Sequence, residues 1–388
     1  MSSAYQQAVE EKKLGDLAAK KGNRRLALLH YRRAIGAMKI YAKSAEPKQR
    51  RVANSIILKI TALATSLDGM SDAETLDGPP EIAELRQVRK PSSLPADCAE
   101  SGGIVEYSTL TFNDIAGMES VKFELRDAIE LPLKYPDEFK RRGIPLQTGI
   151  LLFGPPGCGK TYLVKCLAGE FNLPAVIVSA SQLLESLVGA TEKKASKTFS
   201  CARSLAPSVL FVDEIDKLLS TSSRSDSTQV MTRTTNEFLT QIDGFTKHEQ
   251  QSIFIAATNE PENINPALIR PGRVSQIIYI GAPDFDARRE VFRINLRGNR
   301  LEGINYEELA KLTKSVGGYE YSAAAIAEIC AIAKKTVIRE QDKRKVSDLP
   351  ILMPHFEKGL KRIKPTITPE MKKRYESFAK IHASLKAD

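Results

Sequence analysis

The sequence predicts an α/β module with a mostly parallel sheet and helices on both faces, placed between a small N-terminal helical bundle and a C-terminal helical domain. Short apolar runs alternate with helix-like stretches over residues 109–283, which is typical of parallel sheets. The predicted strands are Gly149–Phe153, Ala175–Ser179, Val209–Asp213, Ser252–Ala257 and Gln276–Ile280. Amphipathic helical patterns occupy residues 4–67 and dominate again from residue 284 onward. With 388 residues and 42% hydrophobic composition, the chain can bury the cores of two or three such domains.

The N-terminal segment 1–67 is predicted to form a bundle of three helices. Apolar side chains recur at helical spacing in two of its stretches, 24–42 and 52–67, and more weakly near its start. The segment holds 14 Lys and Arg against 4 Asp and Glu, which accounts for the whole net charge of +10. We therefore expect it to meet an acidic partner, which is a protein tail, a membrane surface or nucleic acid.

Residues 68–108 are predicted to be a linker, because glycines and prolines in a polar stretch interrupt the helical pattern. No apolar run approaches the roughly 20 residues of a membrane helix. The first residues lack the apolar core of a signal peptide, so we expect a cytoplasmic protein. The cysteines contain no C-x-x-C pair, and we expect neither a disulfide framework nor a zinc site. The five cysteines are Cys98, Cys158, Cys166, Cys201 and Cys330.

The strongest motif is a phosphate-binding loop at residues 154–161. Its sequence, GPPGCGKT, matches G-x-x-x-x-G-K-[ST] and lies between the apolar segment Gly149–Phe153 and a helical run, the setting that this motif requires. Its glycines allow backbone N–H groups to surround phosphate oxygens at a helix start. Lys160 is placed to reach the β- and γ-phosphates, and the Thr161 hydroxyl to bind Mg²⁺. The predicted nucleotide contacts in this loop are Pro156, Gly157, Cys158, Gly159, Lys160 and Thr161.

Polar side chains follow two other predicted strands. Val209–Val212 runs directly into Asp213 and Glu214, and Ser252–Ala257 is followed one residue later by Asn259. Asp213 suits Mg²⁺ binding, directly or through water, and Glu214 suits a general base for the attacking water. Ligands of open α/β sheets bind at the carboxyl ends of the strands, so Asn259 could orient that water.

Two arginines, Arg270 and Arg273, lie close together in the run LIRPGR. Guanidinium groups bind phosphate oxygens through paired hydrogen bonds. An arginine that stabilises the developing charge of phosphoryl transfer is worth ~10³–10⁵ in rate. If these arginines serve the nucleotide of a neighbouring subunit, the enzyme has to be oligomeric to turn over.

Taken together, these motifs resemble the ATPase module of the AAA family over residues 109–388. The run Phe112–Gly117 is similar to the family's opening motif, whose backbone lines the adenine pocket. The phosphate loop, the Asp213–Glu214 pair, Asn259 and the arginines follow in the family's order and spacing. The resemblance implies that ATP and Mg²⁺ bind and that the arginines act in trans. It also implies nucleotide contacts at Asp114, Ile115, Gly117, Tyr162 and Ala324.

Both ends of the chain suggest a subfamily. Residues 356–378 resemble the closing helices of the meiotic clade, which includes katanin, spastin and the ESCRT-III disassembly ATPase. The N-terminal segment resembles a MIT domain, a three-helix bundle that binds tails of ESCRT-III proteins, and the combination resembles archaeal cell-division ATPases of the CdvC type. The implied organisation is a MIT-like bundle at 1–67, a linker at 68–108, a large α/β ATPase domain at 109–283 and a small helical domain with a C-terminal helix at 284–388.

Two stretches depart from the family pattern. In the predicted substrate pore, Leu187 stands in place of the usual aromatic before Val188, and leucine offers less apolar area and no ring face. This departure argues against strong processive unfolding. A second pore loop is expected around Ser222–Gln229. Residues 321–326 lack the usual glycine and aspartate of the second sensor, which predicts an altered nucleotide affinity without loss of binding.

The leading interpretation is a nucleotide-assembled homo-hexamer that extracts or disassembles ESCRT-III-like filament subunits, recruited through residues 1–67, in membrane scission or cell division. Such a protein would be cytoplasmic, recruited to a membrane or division site and in only indirect contact with lipid. Two alternatives stay open: an unfoldase or severing enzyme with another protein substrate, and a nucleotide-gated scaffold with little turnover. A nucleic-acid motor is not expected, because the basic segment has few interleaved aromatic side chains, such as Tyr31 and Tyr41, to serve as stacking platforms.

Overall fold

The computed structural model divides the chain into two compact units, Met1–Glu84 and Leu85–Asp388. In the first unit, small apolar clusters are buried at positions of the predicted stripes, such as Tyr31, Ala34 and Met38. The rest of the predicted bundle and residues 68–93 of the predicted linker lie outside the described residues. The structure describes residues 94–142, 149–184, 190–219, 228–246, 252–270, 272–382 and 385–386, together with separate positions between residues 8 and 60.

The described part of the second unit contains one sheet of seven strands. In that part, β1 alone runs antiparallel to its neighbour, and the other pairs are parallel. The strands are β1 (Ile104–Glu106), β2 (Gly149–Phe153), β3 (Ala175–Ser179), β4 (Val209–Asp213), β5 (Ile253–Thr258), β6 (Gln276–Tyr279) and β7 (Leu385–Lys386). Their order across the sheet is β1-β3-β4-β5-β2-β6-β7. The strands β2 to β6 agree with the five predicted segments to within one residue at each end, and the mostly parallel sheet is confirmed.

Both faces of the sheet are buried, because successive side chains of a strand point to opposite sides. In β2, Leu151 and Phe153 enter one apolar core, and Ile150 and Leu152 enter another. This explains why the strands read as continuous apolar runs. The helices of this part are α1 (Ala96–Glu100), α2 (Glu119–Lys134), α3 (Pro136–Arg142), α4 (Lys160–Glu170), α5 (Ala180–Leu184), α6 (Ala190–Ser204) and α7 (Thr228–Thr246).

Helices dominate after β6, as predicted, and most of them pack around a third core. Phe292, Ile326 and Phe356 are fully buried in that core. The polar caps Asp284 and Ser322 start two of the helices by accepting hydrogen bonds from Ala287 N and Ala325 N. The helices are α8 (Phe285–Leu296), α9 (Tyr306–Leu312), α10 (Ala323–Arg344), α11 (Glu357–Arg362) and α12 (Pro369–His382).

The end of the chain differs from the predicted organisation. Tyr375 of α12 is buried in the first sheet core, and β7 pairs with β6. The last helix of the predicted small domain 284–388 therefore packs on the α/β part. The aromatic residues of α12 show that one face of this helix is buried, but the sequence does not indicate which of the cores buries it.

The predicted linker and the predicted absence of disulfides both need correction. Helix α1 and strand β1 lie within the segment 68–108, and β1 pairs with β3 as an edge of the sheet. Cys98 of α1 and Cys201 of α6 form a disulfide, which the expectation of no disulfide framework did not foresee. The two cysteines are 103 positions apart in sequence, and only the packing of α1 against α6 brings them together. Cys158, Cys166 and Cys330 are buried free thiols.

Among the described residues, no helix has both the length and the apolar character needed to cross a bilayer.

We expect Phe199→Ala to lower the free energy of unfolding of the α/β part by about 3–5 kcal/mol, because it removes a buried ring from the first core. The Phe199 ring centroid lies 5.2 Å from that of Phe238 and 5.5 Å from that of Phe245. Urea unfolding followed by circular dichroism would measure the change. Phe285→Ala, at a ring that is 38% exposed, is the control and should cost less than about 1 kcal/mol. Equal losses in both variants would contradict the assigned packing.

Candidate active site

The phosphate loop joins β2 to α4 with a backbone shape that needs glycine at two points. Gly154 has a φ of 144°, and a Cβ there would lie 2.0 Å from the Ile280 carbonyl oxygen. Gly159, which precedes α4, has a φ of 101°. Both values fall where side chains are disfavoured. The loop therefore passes close to the end of β6 and leads directly into the N-terminus of α4, where backbone N–H groups can bind anions.

Lys160 is the buried cation of this loop. Its ammonium Nζ donates to the Gly154 carbonyl at 2.8 Å, to the Pro155 carbonyl at 2.9 Å and to Asn259 Oδ1 at 2.7 Å. Burial lowers the pKa of Lys160 to about 8. Three oxygen acceptors compensate the ammonium for the water it has lost. The predicted phosphate lysine and the predicted water-orienting asparagine thus meet directly.

Thr161 and Asp213 form a pair of oxygen donors suited to Mg²⁺. The Thr161 hydroxyl donates to Asp213 Oδ2 at 2.8 Å, although the two residues lie on α4 and β4. No group of three or more His, Cys, Asp or Glu in the described residues could hold a metal ion by itself. Mg²⁺ takes few protein ligands and completes its shell with phosphate oxygens and water. The donor pair therefore fits the predicted Mg²⁺ site.

Glu214 follows Asp213 in a left-handed backbone conformation, with a φ of 54°. Such a conformation is costly for a residue with a Cβ and is concentrated at functional sites. Asp213 Oδ1 accepts the Glu214 backbone N–H at 2.9 Å, which holds the turn. Glu214 Oε2 accepts from Lys217 Nζ and, at 3.4 Å, from Ser181 Oγ. The carboxylate of Glu214 raises the pKa of Lys217, and this cation beside the predicted base was not found from the sequence.

Asn259 directly follows β5, and the peptide group between Asn259 and Glu260 is held by hydrogen bonds at both its C=O and its N–H. The Glu260 N–H donates to Thr258 Oγ1 at 2.9 Å, and the Thr258 hydroxyl donates to Asp216. The Asn259 carbonyl accepts hydrogen bonds from the Tyr375 hydroxyl and from Arg374 Nη2, at 2.5 and 3.1 Å. Because Oδ1 of the amide faces Lys160, its NH₂ group remains available as a donor.

The start of helix α10 closes the loop from another side. The Ala324 N–H donates to the Gly157 carbonyl at 2.9 Å. A Cβ on Gly157 would lie 3.1 Å from the Ala324 methyl group. The predicted contact residue Ala324 therefore touches the loop itself through its backbone.

Comparison with known proteins places this arrangement in a family. The profile of the ATPase family associated with various cellular activities (AAA) matches residues 150–282. A cell division cycle protein 48 homolog from Archaeoglobus fulgidus is 39% identical over 317 residues, which is 79% of this chain and 43% of that protein. A proteasome-activating nucleotidase from Pyrococcus horikoshii is 37% identical over 251 residues, which is 63% of this chain and 62% of that protein. The chain thus spans less than two thirds of the length of these two relatives.

A solved structure decides the family. The crystal structure of the FIGL-1 AAA domain superimposes with a TM-score of 0.62 at 30% identity, covering 75% of this chain and 97% of that domain. The chain belongs to the AAA family of ATPases. This confirms the predicted ATPase class and the α/β AAA module with its helical C-terminal region. The likeness to the FIGL-1 domain also fits the predicted meiotic clade.

The opening motif of the AAA module packs beside the phosphate loop. Ile115 and Met118 lie within 4 Å of the position that a Cβ on Gly159 would take. Asp114 accepts from the Thr111 backbone N–H and from Arg297 Nη1, and these hydrogen bonds hold the pKa of Asp114 below its usual range. Gly117 completes the turn with a φ of 65°.

Tyr162 follows the loop on α4 with 39% of its surface exposed, and its pKa is raised mainly by partial burial. Arg297 comes from the end of α8, so its ion pair with Asp114 ties the helical region to the opening motif. The sequence offered no signal for this ion pair, because its partners lie 183 positions apart.

The two predicted arginine fingers differ in their surroundings. Arg270 is exposed and has no side-chain hydrogen bond to any residue that the structure describes. Arg273 is held within its own chain: Nε and Nη2 donate to the two Asp243 oxygens at 2.7 and 2.8 Å, and Nη1 donates to the Ala267 carbonyl at 2.7 Å. The exposed Arg270 side chain is therefore compatible with the predicted trans role, whereas Arg273 is held by a bidentate carboxylate of its own chain; that either arginine serves a neighbouring subunit stays a prediction.

The substrate-pore residues Leu187 and Val188 lie outside the described residues, as does most of the second predicted pore loop at Ser222–Gln229. The described helices α5 and α6 flank the first of these positions.

The buried ammonium of Lys160 predicts a pH dependence of stability. The pKa of Lys160 is about 8 in the folded chain and 10.5 as its ordinary value. Between these values the unfolded chain binds more protons, so the free energy of unfolding rises with pH across this window. We expect the stability of the wild type relative to Lys160→Met to increase from pH 8 to pH 10.5, by about 3 kcal/mol at most. Urea unfolding of both proteins across this range measures it, and a constant difference would contradict the assigned burial.

Proposed function

We propose that this chain hydrolyses ATP with Mg²⁺ and uses the energy to remodel protein substrates. The observation that carries the proposal is the meeting of five predicted residues at the carboxyl edge of three adjacent parallel strands. These residues are Lys160, Thr161, Asp213, Glu214 and Asn259. Phosphoryl transfer needs positioning and charge stabilisation more than covalent chemistry, and this set supplies both.

Each residue takes a role that its surroundings support. The loop backbone and Lys160 bind the β- and γ-phosphates, and Thr161 and Asp213 hold Mg²⁺, which neutralises phosphate charge when bound. Glu214 accepts the proton of the attacking water, and Asn259 orients that water with its free NH₂ group. The Lys217 ammonium contacts Oε2 of Glu214 and leaves Oε1 able to accept that proton.

A homo-hexamer assembled with nucleotide would complete the site. Arg270 is exposed and available to the nucleotide of a neighbouring subunit, where it would stabilise the charge of the transition state. Arg273 would instead fix the segment that carries Arg270, through Asp243. In this arrangement one arginine acts in trans and the second positions it.

For the substrate, we propose ESCRT-III-like filament subunits that are recruited by residues 1–67 and moved past Leu187 and Val188. The charge of the N-terminal segment and its buried apolar positions support a MIT-like bundle that binds acidic or amphipathic tails. The likeness to the FIGL-1 domain supports the clade to which such disassembly enzymes belong. The place of action would be the cytoplasm, at a membrane or division site.

Replacing the proposed base tests the hydrolysis. Glu214→Gln should bind ATP with an affinity close to that of the wild type and lower kcat by about 10²–10⁴, because the amide cannot take a proton. ATP binding by calorimetry and phosphate release separate the two effects. The control is Glu357→Gln, at an exposed carboxylate on α11, which should hydrolyse ATP normally. Wild-type turnover in Glu214→Gln would refute the assigned base.

The two arginines should separate in a comparison of activity with stability. Arg270→Ala should lower kcat by ~10³ without changing the melting temperature, because this side chain is exposed. Arg273→Ala should lower kcat and also cost about 1 kcal/mol of stability, because Asp243 loses its bidentate partner. Differential scanning calorimetry with ATPase assays measures both. A stability loss in Arg270→Ala alone would reverse the two roles.

The recruitment proposal is tested with the whole chain and a variant that lacks residues 1–67. Tails of ESCRT-III-like proteins should bind the whole chain at two salt concentrations and fail to bind the truncated chain. Duplex DNA serves as the competitor, because its binding falls steeply with salt. If only DNA binds, and if that binding is lost at the higher salt concentration, the MIT-like assignment is overturned. The protein substrate of the ATPase would then be unidentified.

A further inference from the structure

Helix α12 lies against the strands that carry the active site. The Phe378 ring centroid is 5.0 Å from that of Phe153, the residue before the phosphate loop. The Tyr375 ring stacks on Tyr279 of β6 at 6.3 Å. The tyrosine side chain is 1% exposed, so its position is set on all sides by packing. The aromatic face of α12 is therefore fixed to the end of the sheet where ATP is proposed to bind.

The polar end of the same side chain reaches Asn259. The Tyr375 hydroxyl donates to the Asn259 backbone carbonyl, which also accepts from Arg374 Nη2 at 3.1 Å. The other side of that peptide group, the Glu260 N–H, is held by the Thr258 hydroxyl. The peptide plane that follows Asn259 is thus fastened at both its C=O and its N–H.

This fastening bears on the direction of the Asn259 side chain. The amide Oδ1 accepts from Lys160 Nζ at 2.7 Å, so the NH₂ group has a single remaining direction set by the backbone. A displacement of this peptide group would carry the Asn259 Cα with it and move the amide away from the attacking water. Small errors of position cost large factors in rate when a group acts by orientation.

The N-terminal end of α12 is attached to the helical region. Lys372 Nζ pairs with Glu320 Oε1 at 2.6 Å, and the Glu320 N–H donates to the Ile367 carbonyl at 2.9 Å. Glu320 lies just before Ser322, the N-cap of α10. One short helix therefore connects the start of α10 to the asparagine of the active site.

We infer that Tyr375 is a positioning residue for ATP hydrolysis, whose hydroxyl sets the orientation of Asn259 through the backbone carbonyl. The inference rests on the proposed function, because it assigns Asn259 the role of orienting the attacking water. Tyr375 itself touches neither the phosphate loop nor Lys160 through a hydrogen bond in the described structure. Its effect on the reaction passes through the peptide group.

The kinetic test is a double-mutant cycle on the full chain. Tyr375→Phe removes only the hydroxyl and should lower kcat by about 3–10-fold with KM for ATP unchanged, the scale of one net hydrogen bond. In an Asn259→Ala background the same substitution should change kcat by less than about 1.5-fold, because no amide remains to be oriented. Single-turnover assays with radiolabelled ATP keep the low rates measurable.

Tyr306→Phe is the matched control. Tyr306 is the first residue of α9 and packs against the third core, and the Arg293 guanidinium lies 5.7 Å from its ring centroid. The substitution removes a tyrosine hydroxyl from the same unit, outside every motif of the site, and should leave kcat and KM unchanged.

A spectroscopic readout follows the hydrogen bond itself. Labelling with ¹³C-carbonyl asparagine and ¹⁵N-glutamate selects the Asn-Glu peptide groups, and the sequence holds two, at Asn236 and Asn259. In Tyr375→Phe the carbonyl resonance of Asn259 should move upfield, while that of Asn236 stays in place as an internal control.

The outcomes separate the two proposals. An equal loss of kcat in both backgrounds, or an unmoved Asn259 carbonyl resonance, would show that Tyr375 only stabilises the fold and would overturn the inference while leaving ATP hydrolysis intact. A wild-type chain that releases no phosphate from ATP would refute the proposed function, and the inference with it.

Discussion

The constraint on which the site depends is the burial of the Lys160 ammonium. A cation that loses water has to be given oxygen acceptors, and here they come from the Gly154 and Pro155 carbonyls and from Asn259. These acceptors lie at the ends of β2 and β5, so the two strands have to be neighbours that run in the same direction. The pairing of Phe153 with Thr258 in the observed register places the acceptors together. The hydrogen bonds that Lys160 needs are therefore available only if β2 and β5 are adjacent in the sheet.

A second layer of contacts holds this arrangement from outside the sheet. Helix α10 donates a hydrogen bond to the loop at Gly157, Arg297 directly after α8 pairs with Asp114, and α12 donates to the peptide that follows Asn259. Each contact begins in the C-terminal region and ends on a different motif of the α/β part. These three contacts link the position of the helical region to the geometry of the site, and the contact of α12 is supported by the apolar packing of Tyr375 and Phe378.

The sequence predicts those parts of the structure whose signals are local. The five central strands and the phosphate loop are confirmed because an apolar run followed by glycines or acidic residues is a pattern within ten residues. The edge strands were missed because β1 has three residues and β7 has two, too few for any periodicity. The disulfide, the Arg273–Asp243 pair and the Tyr375 bond join residues distant in sequence, and only the packed fold selects those partners. The left-handed turn at Glu214 likewise arises from its bonded neighbours, since glutamate carries no preference for it.

The bond between Ala324 and Gly157 has a mechanical consequence. Helix α10 has 22 residues, which at ~1.5 Å per residue makes a rod about 33 Å long with its near end resting on the phosphate loop. A change in the loop at Gly157 would therefore act on the N-terminal end of α10. A tilt of about 6° at that point would swing the far end by roughly 3 Å, about a tenth of the length of the rod. A small tilt at the phosphate loop would therefore produce a much larger displacement at the C-terminal end of α10.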